Sequence, residues 1–216
     1  TPLFIAAANG HAEIVQLLLE RGADVNQAMN NGITPLFIAA ANGHTAVAQL
    51  LLAADGIQVN QANEETWTPL LIAAENSHAA IVRLLLDAPR IKVNQADIYG
   101  RSPLLIAAEQ GCEEVAQLLL NNNADVNKEA ENGWTPLLIA AAKGHTEIIR
   151  LLLNNDTDVN QANNNGCTPL FIAAEKGCEE VVQLLLVRGA DVNQAKDGLT
   201  PLCIAAEQGY EEIVQL

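Results

Sequence analysis

The stretch TPLFIAA at residues 1–7 is written again at 34–40. It returns with small changes as TPLLIAA at 68–74, SPLLIAA at 102–108, TPLLIAA at 135–141, TPLFIAA at 168–174 and TPLCIAA at 200–206. Successive starts lie 32 to 34 residues apart, a period set by a repeated supersecondary unit that tolerates a one-residue slip. Thr or Ser followed by Pro predicts a helix start. The hydroxyl accepts from the free amides of the first turn, and Pro sits where a missing N–H costs nothing.

Working outward, the apolar run after each Thr-Pro closes on Gly10, Gly43, Gly111, Gly144, Gly177 and Gly209. Its small Ala residues let neighbours approach closely. A second segment follows, HAEIVQLLL at 11–19 and CEEVVQLLL at 178–186, with acids at its start that suit the positive end of a helix. Gly or Asn after LLL predicts a left-handed residue that closes this helix. The stretch ADVNQA and its Asn-rich or acidic continuation predict a turn projecting away from the helix pair. In the finger before the third copy, Thr66 stands where other copies have Gly. If that slot needs a positive φ, the turn there is distorted. The sixth finger is one residue shorter and is expected to turn more tightly.

TPL, GH, IV, LLL and GADVN in register over about 33 residues resemble the ankyrin repeat family, and the resemblance covers the whole chain. It implies an all-α ankyrin-repeat solenoid of stacked helix-turn-helix units with short β-hairpin fingers, forming a single domain over 1–216. The repeats are 1–33, 34–67, 68–101, 102–134, 135–167, 168–199 and a partial 200–216. The family's usual TPLH is here TPLF, TPLL or TPLC, so Phe4, Phe37, Leu71, Leu105, Leu138, Phe171 and Cys203 are expected to replace a histidine hydrogen bond with apolar packing. The chain opens on a helix cap and stops inside a helix, so the reading expects a piece of a longer array.

Half of the residues are hydrophobic and only 3% are aromatic, which suits a thin core of stacked helices. The net charge of −15 argues against nucleic acid and anionic membrane as partners, since both are held by Lys and Arg. A basic protein surface is compatible with it, as is solubility alone. No apolar run reaches the roughly 18 residues needed to cross a bilayer.

No residue set points to catalysis, a metal or a cofactor. His11, His44, His78 and His145 share one slot of the repeat, and stacked helices lie about 8–10 Å apart, too far for one zinc at roughly 2 Å from each ligand. Packing and hydrogen bonding at the start of the second helix is the expectation for them. Cys112 and Cys178 occupy the same slot two repeats apart, too distant for a disulfide, which needs Cα atoms within about 7 Å. Cys203 is expected to be buried and Cys167 to lie on a finger. Four free thiols suggest the cytoplasm or another reducing compartment. Asn26, Asn60, Asn94, Asn127, Asn160 and Asn193 precede the fingers and are expected to hydrogen-bond the backbone of their own turn. The family resemblance adds that this Asn can be a target of an asparaginyl hydroxylase.

Functional information belongs where the copies differ. Immediately before TPL the column reads Ile33, Trp67, Arg101, Trp134, Cys167 and Leu199, with Ile98 and Tyr99 on the same finger as Arg101. Trp and Arg often anchor protein interfaces, although each Trp can equally cover the neighbouring finger. After IAA the column reads Ala8, Ala41, Glu75, Glu109, Ala142, Glu175 and Glu207. In the fold that the resemblance implies, these line the concave face as an acidic stripe, although a solvated helix face explains the acids as well. The expectation is a protein-binding scaffold, not an enzyme, with anchors Trp67, Arg101 and Trp134, flanked by Ile33, Ile98 and Tyr99. Glu75 and Glu109 favour a basic partner. The alternative is a spacer or regulatory segment of a larger multidomain or membrane-associated protein with no dedicated ligand.

Overall fold

The computed structural model describes residues 1–216, nearly all of the ordered structure being helical, with no β-strand. The helices come in consecutive pairs. These are α1 (Pro2–Ala8) with α2 (Ala12–Glu20), α3 (Pro35–Ala41) with α4 (Thr45–Leu52), α5 (Pro69–Glu75) with α6 (Ala79–Leu86) and α7 (Pro103–Gln110) with α8 (Glu113–Asn121). They continue as α9 (Pro136–Lys143) with α10 (Thr146–Leu153), α11 (Pro169–Lys176) with α12 (Glu179–Val187) and α13 (Pro201–Gln208) with α14 (Glu211–Val214). None is long and apolar enough to cross a membrane.

Two compact units are present, Thr1–Pro103 with Asn121–Ala124, and Leu104–Leu120 with Asp125–Leu216. In the first, α1, α3 and α5 pack in series, as do α2, α4 and α6, and each helix also packs on its own partner. In the second, α9, α11 and α13 form one series and α10, α12 and α14 the other.

The expected threonine caps are in place. The hydroxyls of Thr34, Thr68, Thr135 and Thr168 accept from the amides of Phe37, Leu71, Leu138 and Phe171 at 3.0–3.3 Å. These Thr residues are themselves buried, so the capping bond also satisfies a hydroxyl that water does not reach. The slot that follows is filled by packing: Phe37, Leu71, Leu105, Leu138 and Phe171 are buried. Cys203 is not. It is exposed, because no helix pair of this chain covers its outer side, and this corrects the expectation of a buried thiol.

The Asn expectation is also corrected. Asn26 does not bond its own turn: its Nδ2 donates to Gly56 O at 2.9 Å and its Oδ1 accepts from Gln58 N at 2.8 Å, both one repeat on. Asn60 bonds Arg90 O and Lys92 N in the same way, Asn127 bonds Asp156 O and Asp158 N, and Asn160 bonds Gly189 O and Asp191 N. Asn94 donates to Asn123 O. In four copies an Asp two residues earlier closes the turn as well: the Oδ1 of Asp24, Asp125, Asp158 and Asp191 accepts the amides of Asn26, Asn127, Asn160 and Asn193. Asn60 reaches outward in the same way with Gln58 in that place, so the outward bond does not depend on the Asp.

Histidine ties successive repeats on the other side. Nε2 of His44, His78 and His145 lies 3.0–3.2 Å from the carbonyls of Ala8, Ala41 and Glu109, each at the end of the preceding first helix. The ring packs over a glycine of that repeat. Gly43 has φ +75°, and a Cβ there would stand 2.9 Å from His78 Cε1.

The fingers are turns, not strand ladders. Met29, Asn63, Ala130 and Asn163 each donate their amide to the carbonyl four residues on. The sixth finger is shorter, as expected: Lys196 and Leu199 exchange two hydrogen bonds across Asp197 and Gly198, both with positive φ. This is the two-residue turn that Asp-Gly favours.

Removing two inter-repeat hydrogen bonds worth about 1 kcal/mol each, Asn127→Ala is expected to lower the urea-unfolding free energy by about 2 kcal/mol. An unchanged midpoint would contradict the ladder. Gly43→Ala places a side chain in the left-handed region and against His78, so a loss of at least roughly 1 kcal/mol is expected in the same measurement.

Candidate protein-binding surface

The finger residues of the first unit form a side-chain cluster. The Arg101 guanidinium lies 5.2 Å from the Trp67 ring centroid and 5.5 Å from that of Tyr99, within cation–π range. Its charge is balanced by Asp97, which takes Arg101 Nε at 2.8 Å and Nη2 at 2.7 Å. The Asp97 carboxylate is wholly buried while Arg101 is 29% exposed. The other oxygen, Oδ1, accepts the amides of Tyr99 and Arg101 at 2.9 Å each. Asp97 therefore folds the finger and aims the arginine.

Asp97 was missed by comparing variable positions, because it belongs to a slot shared by several fingers. Asn63 Oδ1 accepts from Glu65 N and Trp67 N, and Asn163 Oδ1 from Asn165 N and Cys167 N. The readable signal is an Asx residue four positions before the finger residue.

Around this cluster, Ile98 and Tyr99 are 54% and 49% exposed, whereas Trp67 and Ile33 are half-buried. Glu75, at the end of α5, is half-buried and its Oε2 is buried without a hydrogen-bond partner. In the second unit Trp134 is half-buried, following a 3-10 turn at Glu131–Gly133. Glu109 there lies 3.9 Å from Lys143 Nζ. Two residues of the neighbouring variable column have structural work: Asn42 Nδ2 donates to Ala8 O and Asn76 Nδ2 to Ala41 O.

The four cysteines are free. Cys112, Cys167 and Cys178 are half-buried, and Cys203 alone is exposed. A hydrogen bond from the Thr200 hydroxyl, with a second from the Thr200 backbone, holds the Cys203 thiol below its ordinary range. Because the thiolate is the nucleophile, iodoacetamide at neutral pH is expected to modify Cys203 before the other three, as read by peptide mass mapping. Faster labelling of any half-buried thiol would refute this.

Three matches to the family model for ankyrin repeats (3 copies) cover residues 1–63, 58–130 and 123–196, and a single ankyrin repeat model covers 197–216. No curated protein matches the chain. Among solved structures, the human ASB11 ankyrin repeat domain is 30% identical with a TM-score of 0.88, covering 100% of this chain and 97% of that one. The ankyrin repeat domain of Bcl-3, a member of the IkappaB protein family, is 27% identical with a TM-score of 0.88, covering 100% and 98%. With the capped helix pairs and turns already in evidence, these matches across the length of the sequence establish that the chain belongs to the ankyrin repeat family.

Proposed function

We propose that the chain is a protein-binding scaffold that holds partners on its fingers and on the first helices beside them. Ankyrin repeat domains are generally modules for protein–protein interaction, and the finer reading rests on the finger cluster of the first unit. Arg101 contacts both Trp67 and Tyr99, and Ile98 and Tyr99 turn about half of their surface to solvent. Rigid aromatic groups of this kind anchor interfaces at little entropic cost.

The chemistry of the partner follows from charge. Arg101 is already neutralised by Asp97, so the cluster acts as an amphipathic platform. Glu64 and Glu65 are exposed on the adjoining finger, and the net charge is −15. A segment carrying Lys or Arg next to an apolar side chain fits these features. In the second unit Trp134 and Glu109 repeat the combination of finger aromatic and helix-end acid. Four free thiols suit a reducing compartment, and catalysis has no part in this reading. The inter-repeat Asn residues are the positions at which hydroxylation is proposed.

The same packing of Arg101 over Trp67 also serves a spacer with no dedicated ligand, and one experiment separates the two. Peptides selected from a displayed random library on the immobilised chain are expected to be enriched in Lys or Arg beside an apolar residue. Trp67→Ala/Trp134→Ala should weaken the best peptide by at least ~2 kcal/mol, roughly 30-fold in Kd. Unchanged affinity would remove the finger anchors, and a selection without enrichment would favour the spacer.

A further inference from the structure

The third repeat and the finger before it carry a concentration of local conflicts. Thr66, Ser77 and Arg90 have φ of 62°, 59° and 64°. The matching slots in the two preceding repeats hold Gly32, then Gly10 and Gly43, then Gly22 and Gly56. The other non-glycine residues with positive φ are Asn123, Asn132, Asp156 and Asp197, types that tolerate the left-handed region through local hydrogen bonds. Thr, Ser and Arg are rarer in that region, and a β-branched residue such as Thr66 is the worst case.

Thr66 has a further consequence for stacking. A Cβ at Gly32 would lie 2.9 Å from Asn63 Cα, and one at Gly133 would lie 2.7 Å from Asn164 Oδ1. At Gly32 and Gly133 the next finger closes in and a backbone bond forms: Glu64 N to Asn31 O at 3.1 Å, and Asn164 N to Asn132 O at 2.9 Å. Thr66 bears the Cβ, and Ile98 N makes no counterpart bond to Glu65 O. Buried oxygens without partners fall in the same stretch: Gln61 Oε1, Thr66 Oγ1, Glu75 Oε2 and Gln95 Oε1. Each is desolvated without return.

In a repeat array stability is a sum of local terms, each repeat answering only to its neighbours. Strain in one repeat therefore stays there as a lower local opening free energy. We infer that residues 61–95, most of the third repeat together with the finger before it, form a weak segment that opens while α3 and α4 stay closed. Opening separates Trp67 from Arg101 and takes apart the finger cluster, so it regulates partner binding; this consequence alone rests on the proposed function.

Hydrogen exchange read by mass spectrometry on the full chain tests the opening without any partner. Amides of α5 and α6 are expected to exchange faster than those of α3 and α4. Each strained residue returned to glycine is worth several-fold in protection, net of the greater freedom of glycine when unfolded. Thr66→Gly/Ser77→Gly/Arg90→Gly should therefore slow exchange in α5 and α6 at least about tenfold and leave α3 and α4 within about twofold. The inference is overturned if α5 and α6 are as protected as α3 and α4 in the wild type, or if the triple variant leaves their exchange unchanged. Binding of the selected peptide to the triple variant is a separate readout: unaltered affinity removes the regulatory consequence and leaves the weak segment standing.

Discussion

One side-chain amide, offered to a carbonyl and to the N–H two residues further on, ties four of the repeats to the next. A helix pair of this length cannot bury an apolar face by itself, so its core exists only where a neighbour lies against it. Apolar contact is tolerant of sliding, and Ala-rich faces such as Ala39–Ala40 against Ala73–Ala74 offer few knobs to fix a register. The amide supplies what packing does not. In Asn26 and Asn60 both of its atoms are used at 2.8–2.9 Å, and a shift of one residue would break both bonds at once. The histidine column gives a second tie from the opposite end of the first helices.

This arrangement was legible in part. Thr-Pro pairs name the helix starts because the cap and the missing N–H are local effects, and every such start is a helix in the structure. The slot comparison singled out Thr66, but the distorted turn it led one to expect is absent: Thr66 itself takes φ 62°, and its finger keeps the hydrogen bonds of the glycine copies. Inter-repeat bonding was harder to read. Whether Asn26 turns inward or reaches Gly56 depends on where the next repeat's backbone lies, which its own neighbours in sequence do not carry. The exposure of Cys203 depends on the absence of a covering helix pair, a fact about packing that its own sequence context does not carry. Asp97 was hidden for the opposite reason: it recurs as Asn in other fingers, so a search for differences passes over it.

The finger cluster shows how one residue serves two ends. Buried Asp97 would be costly as an unpaired charge, yet two backbone amides and the Arg101 fork occupy its oxygens. In return it closes the turn and lays a flat cation against Trp67 and Tyr99. What faces solvent is then an aromatic and aliphatic tip with little net charge, set in an acidic molecule. Long-range attraction comes from the whole chain, and short-range fit from the tip.

The contact between ring and glycine has an implication for how such arrays change. His44 fills the space above Gly10, Tyr210 comes within 2.7 Å of where a Cβ on Gly177 would be, and Cys178 stands off from Gly144 at 3.4 Å. Each junction thus has its own volume, shared between the glycine that closes the first helix of one copy and the capping residue of the second helix in the next. Duplication or exchange of a block cut at Thr-Pro keeps every such pair that lies inside the block and remakes only those at its two seams. Recombination within the family is therefore tolerated at a cost that counts seams, and hardly depends on how many copies are moved.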